Sequence, residues 1–160
     1  MGVRIRFAEV AVLLQVWWLE IRGRMSCRIL TRRTTYGVYL VFKMNEDEYR
    51  GFNFDLAEVR AGILGTESDP ETVCLDPDLE NSRLRLAPWL MDHSLEMSSG
   101  LEQPKERQDG WFEIELGEFE SGDGDDEVEM DLMEVKGGTR KIGLVVEGIE
   151  IRPKPTSVLA

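Results

Sequence analysis

Between Glu113 and Glu134 the chain carries eleven carboxylates with no lysine or arginine among them. Carboxylates at that density do three kinds of chemistry. They ligate calcium, which takes several hard oxygens on a flexible turn. They work in pairs as acid and base across a glycosidic bond. They also accept hydroxyl protons from a sugar that is held and not cleaved. Asp123-Gly-Asp-Asp-Glu127 has the composition of a calcium loop. It lacks the glycine and flanking helices of an EF-hand, so a solvated hairpin turn is the expected reading. Hydrolysis rests only on the abundance of carboxylates, and no enzymatic activity is expected.

Two features are more specific. Val128, Met130 and Leu132 keep one phase of an alternating strand, and Glu134 follows in that phase. Met133 and Val135 then place apolar side chains in the other phase. Either a bulge shifts the register, or Glu134 points inward and needs a hydrogen-bond partner. The second feature is a pair of tryptophans. Trp18 and Trp111 fall on the polar phase of their strands, beside Glu20 and Glu113. A sugar site needs such a pairing: the indole packs on the apolar face of a pyranose, and carboxylates accept its hydroxyl protons. Both rings serve equally as core if the sheets are covered on both faces, and the sequence leaves that choice open.

Other chemistries lack their residues. His93 is the only histidine and sits in an irregular stretch, so a surface role is expected rather than a Ser-His-Asp or Cys-His relay. One histidine with the distant Cys27 and Cys74 gives no zinc spacing. Gly137-Gly138 and Gly122-x-Gly124 lack the strand-loop-helix context that cradles phosphate. No metal and no cofactor are expected.

The elements that must position these residues follow a period of two. Trp17 to Arg22 alternates and closes on Gly23; Thr35 to Met44 is apolar on both faces, as in a central strand; Thr72 to Leu75 is a short candidate. Trp111 to Leu116 alternates up to Gly117, Val128 to Leu132 follows, and Ile142 to Arg152 is the last strand, with a bulge at Gly148 and a stop at Pro153. Only Phe7 to Val16 has a helical rhythm, with Phe7, Val10, Ala11 and Leu14 on one face. The expected fold is all-β: an antiparallel β-sandwich or jelly roll with one short N-terminal helix. It forms a single domain over 1–153, with a long irregular insertion over 65–107 and a frayed tail over 154–160.

Charge narrows the partners. The 160 residues hold 19 Lys and Arg against 31 Asp and Glu, a formal net charge of −12. A phosphate-backbone binder needs the opposite sign, so nucleic acid is not an expected partner. The most apolar run, Val10 to Leu19, is half of what a spanning helix needs and is broken by Gln15, so no membrane segment is expected. Without a secretory signal, Cys27 and Cys74 read as thiols of a reducing compartment, which predicts the cytoplasm or nucleus.

The strings RFAEVAVLLQVWWLEIRGRM, TTYGVYLVFKM, DGWFEIELGEF, DEVEMDLMEVKGG and GLVVEGIEIRPK resemble the phloem protein 2 family, the Nictaba-like lectin domain of plants. The likeness runs from about Arg6 to Lys154 and is nearest to the F-box-associated subgroup. It implies a jelly-roll sandwich that binds N-acetylglucosamine oligomers and N-glycan cores without catalysis. It also implies that two glutamates on one strand take part in sugar binding, and these fall on Glu127 and Glu134. A register break near Met133 would bring both to one edge of the sheet. The family's upstream aromatic segment and the F-box precede the RFAEVA string and are not in this chain, so an N-terminally shortened domain is expected. Trp17 stands where relatives often carry a small residue. The alternative function is a protein-interaction module related to substrate recognition by F-box ubiquitin-ligase subunits, its sugar site weakened or lost. Self-association as a homodimer is left open.

Overall fold

The computed structural model describes residues 3–4, 9–52, 56–66, 68–78 and 101–155. His93, most of the 65–107 insertion and the end of the tail lie outside them. Among the described residues ten strands follow one another: β1 (Val3–Arg4), β2 (Ala11–Val12), β3 (Leu19–Ser26), β4 (Thr35–Met44), β5 (Ala57–Ile63), β6 (Glu71–Val73), β7 (Lys105–Glu106), β8 (Phe112–Glu120), β9 (Glu127–Glu134) and β10 (Leu144–Pro153). One 3-10 turn, Cys27–Ile29, follows β3. The strands form two antiparallel sheets packed as a sandwich. The larger runs β1-β10-β4-β8-β7, with β2 also on β10; the smaller runs β3-β9-β5-β6.

The patterning explains the layers. In β4 the side chains of Tyr36, Val38, Leu40, Phe42 and Met44 face inward and are buried. They meet Ile114, Leu116 and Phe119 of β8 and Val128, Met130 and Leu132 of β9. Each such aliphatic or aromatic side chain contributes about 1.5–3 kcal/mol on burial. β4 lies between β10 and β8, so even Val41 on its outer side is buried, as the two-sided apolar run predicts. The bulge expected at Gly148 is present as a register shift between Val146 and Gly148.

Three expectations change. Among the described residues there is no N-terminal helix. Within Glu9–Val16 the described chain is extended, and Ala11 and Val12 pair with Val146 and Val145 of β10. Extended pairing satisfies the backbone there, and it turns Leu13 and Val16 onto the core while Val10, Val12 and Leu14 stay exposed. Gly23 does not end a strand but sits in the middle of β3. A Cβ there would stand 2.9 Å from the Met130 sulfur and 3.3 Å from Ile149, so glycine lets neighbouring strand and opposing sheet come close. Gly117 is likewise inside β8, at a bulge where the register shifts between Val38 and Tyr39. It lies against the backbone of Ala61 in the other sheet.

Candidate functional site

The register of β9 decides how the candidate residues are arranged. It pairs with β3 from Leu19↔Glu134 to Ser26↔Glu127 with no break, and with β5 from Glu58↔Met133 to Ile63↔Val128. No bulge intervenes, so Glu134 keeps the inward phase of Val128, Met130 and Leu132. Glu127 keeps the outward phase, with Glu129, Asp131 and Met133. The two glutamates stand at opposite ends of the strand, roughly 23 Å apart at a rise near 3.3 Å per residue, and on opposite faces. One small ligand does not reach both carboxylates.

Glu134 is 3% exposed. Its Oε1 accepts the Gly137 N–H at 2.8 Å, and its Oε2 pairs with the ammonium of Lys141, itself fully buried. Lys141 Nζ also donates to the carbonyl oxygens of Thr139 (2.9 Å) and Trp17 (3.3 Å). A backbone bridge between Val16 and Lys141 holds the same segment. The inward carboxylate thus anchors the 135–141 turn and, through the Trp17 carbonyl, the stretch that leads into β3.

That stretch carries the tryptophans. Trp17 is 56% exposed and Trp18 72%. Trp18 lies in the bend immediately before β3, next to Leu19, which pairs with Glu134. The outer face of the smaller sheet begins with Glu20, Arg22 and Arg24 of β3. Cross-strand rows continue that face: Glu20 beside Met133 and Glu58, then Arg22 beside Asp131 and Arg60, then Arg24 beside Glu129 and Gly62. Glu127 closes the far end.

Trp111 is placed elsewhere. It precedes β8 in phase with Glu113, and the Lys43 ammonium lies 4.6 Å from its ring centroid. It is half-buried on the outer face of the larger sheet. The two tryptophans therefore lead into strands of different sheets, Trp18 into β3 of the smaller and Trp111 into β8 of the larger.

Two groups of residues were not singled out by the sequence reading. One is an ionic network on the outer face of the larger sheet: Arg152 donates to Glu113 at 2.7 and 2.8 Å, and Arg107 reaches Glu150 at 3.0 Å and Glu113 at 3.4 Å. The Arg152 guanidinium also lies 3.8 Å from the Tyr39 ring centroid. Its partners come from β4, β8 and β10, which are distant in sequence, so no local pattern announces it. The other is the Arg22–Asp131–Arg60 row. Arg60 lies on β5, whose alternation of Ala57, Val59 and Ala61 with polar residues is readable but faint because alanine is a weak strand signal.

The acidic turn after β8 has counter-ions. Asp125 receives two hydrogen bonds from Arg28, at 2.9 and 2.8 Å, and Asp123 pairs with Arg33 at 2.8 Å. The bond from Arg28 holds the Asp125 carboxyl below its ordinary range. Among the described residues no group of three His, Cys, Asp or Glu is placed to hold a metal ion.

Comparisons with known proteins cover nearly all of this architecture. Residues 3–153 match the family model described as Phloem protein 2. F-box protein PP2-B10 of Arabidopsis thaliana is 40% identical over 151 residues, 92% of this chain and 50% of the relative. F-box protein PP2-B1 of the same plant is 34% identical over 184 residues, 93% of this chain and 54% of the relative. F-box protein VBF, also from Arabidopsis thaliana, is 38% identical over 162 residues, 93% and 56% respectively. The chain thus spans about half the length of the curated relatives it matches.

Proposed function

Because the chain belongs to the phloem protein 2 family, we propose that it is a non-catalytic carbohydrate-binding module for N-acetylglucosamine oligomers and N-glycan cores. The sugar class follows from the family resemblance. The observation that carries the reading is Trp18: a large indole, 72% exposed, in phase with the carboxylate of Glu20 and backed by a buried ion pair. A flat aromatic ring held at that exposure offers its face to the C–H surface of a pyranose. Glu20 lies next along the strand, where a sugar hydroxyl would donate. Glu134 supports the site from inside, by fixing Lys141 against the Trp17 carbonyl. Glu127 belongs to the distal end of the same face, and Trp111 to a separate surface. In this reading the module works in the cytoplasm or nucleus.

A second reading has its own support. Val10, Val12, Leu14 and Trp17 are all about half exposed or more along one uncharged stretch. Such a strip suits an apolar protein surface, and the matched relatives are named F-box proteins. There the domain would select a protein partner for a ubiquitin ligase.

Tryptophan fluorescence during titration with chitotriose separates them. Covering part of one indole is worth about 2 kcal/mol, so Trp18→Ala is expected to weaken binding about thirtyfold, and Trp111→Ala to leave it within about twofold. Absence of any sugar response in the wild type would favour the protein-interaction reading.

A further inference from the structure

A strand at the edge of a sheet presents a row of unpaired N–H and C=O groups, which recruits another strand unless it is short, bulged or covered. Among the described residues, most edges of the two sheets are short. The larger sheet ends on β1 and β2 at one side and β7 at the other, and the smaller ends on β6, strands of two or three residues each. β3 is the exception. It has eight residues, pairs only with β9 among the described strands, and runs without a bulge or a proline. Its inward apolar side chains are covered from one side only. Ile21 and Met25 are half-buried, whereas Leu132 and Val128, opposite them on β9, are fully buried.

The bonding pattern fixes which groups face the open edge. Along an antiparallel pair, every second residue bonds to a given neighbour. The Cys27 N–H donates to the Asp126 carbonyl at 2.8 Å, and on the other side of β9 the Leu64 N–H donates to the Glu127 carbonyl at 2.8 Å. With the register unbroken, the odd-numbered residues of β3 bond to β9. The N–H and C=O groups of Glu20, Arg22 and Arg24 therefore point to the open edge. The side chains of these residues lie on the outer face. Glu20 and Arg22 are 46% and 57% exposed there and pair with each other at 2.5 Å.

We propose that β3 is an interface at which two copies of this chain pair edge to edge, antiparallel about a two-fold axis through Ile21. The patch is self-complementary, as a two-fold interface requires. Glu20 of each copy stands opposite Arg22 of the other, in the positions whose backbone groups face the edge. The ion pair already formed within one chain then closes into a ring of four alternating charges. Ile21 meets its own counterpart on the inward side, and the two side chains cover each other. Charge selects this register over its neighbours. Sliding to the next bonded register sets Arg22 against Arg22 in one direction and Glu20 against Glu20 in the other, and like charges directly opposite are destabilising. The two smaller sheets become one sheet of eight strands, with both outer faces on the same side. The pairing rests on β3 alone and holds whichever ligand the outer face binds.

Sedimentation equilibrium of the intact chain tests this, with Glu20→Arg, Arg22→Glu and the two combined. Both side chains are exposed, so the variants are expected to fold, and circular dichroism checks that they do. The wild type is expected to dimerise reversibly at micromolar concentration. Each single reversal puts like charges opposite one another and is expected to weaken the dimer at least about tenfold. The combined variant exchanges the signs and keeps every opposite pair, so it is expected to recover to within about threefold of the wild type. The single reversals move the net charge in opposite directions, so a general effect of charge would strengthen one dimer and weaken the other. A wild type that stays monomeric at submillimolar concentration overturns the interface. So does a dimer that ignores the single reversals, or one that the combined variant does not recover.

Discussion

A buried ion pair survives only when each member keeps its partner. Glu134 and Lys141 are nearly or fully out of solvent, and their attraction offsets a large desolvation cost. Glu134→Gln removes the carboxylate charge that faces the buried Lys141 ammonium, and a loss of roughly 3–5 kcal/mol is expected. For a chain of this size that lowers the melting temperature by about 10 °C. Pairing Glu134→Leu with Lys141→Met removes both charges, and the double variant is expected to melt above either single one. Melting by circular dichroism checks it; additive losses in the double variant would contradict the pairing. The sequence signalled half of this. The phase of Val128, Met130 and Leu132 left Glu134 either inward or beyond a bulge, and an inward carboxylate requires a partner. The identity of that partner was not legible, because Lys141 follows a turn and shares no periodicity with β9.

At the scale of strands, pairs that the sequence cannot see set the surface chemistry. On the larger sheet, two hydrogen bonds from Arg152, together with its charge and those of Arg107 and Lys105, hold the Glu113 carboxyl below its ordinary range against an opposing effect of burial. The folded state therefore binds that proton less readily than the unfolded state. The stability Glu113 brings is fully present above about pH 4.5 and is lost as pH falls through its lowered folded value. Glu102 runs the other way: burial, then the charges of Glu115 and Glu71, raise its carboxyl, so its protonation favours the fold. Glu113→Gln is expected to cost roughly 2 kcal/mol at neutral pH, by leaving half-buried guanidinium groups underpaired. The gap to the wild type should close as the pH falls through the lowered folded-state value of Glu113. Urea unfolding at several pH values measures this, and a gap constant from neutral to acid pH would contradict it. β8 and β9 were legible because burial on one face imposes period two, and β4 because it is apolar on both faces. β5 was not, because its inward positions include two alanines, and with it went Arg60 and Gly62. The N-terminal helix was misjudged for a related reason: Val10 to Val16 fits either period, and pairing with β10 decides for the extended form.

The whole molecule is a two-sided object. Sandwich packing turns one outer face of each sheet to solvent and puts Trp18 and Trp111 next to strands of different sheets, although sequence phase alone treats them alike. The same packing separates Glu127 from Glu134. The smaller sheet's outer face carries cross-strand rows of polar side chains, from Glu20 and Glu58 through Arg22, Asp131 and Arg60 to Arg24 and Glu129. In the proposed function this face binds the sugar. The most direct measurement is a set of ¹H–¹⁵N correlation spectra of the intact chain during titration with chitotriose. The shifts are expected to concentrate at the Trp18 indole N–H and at the amides of Leu19, Glu20, Arg22 and Met133, with the Trp111 indole unmoved. Shifts centred on Trp111 and Lys43, or none at saturating sugar, would contradict it.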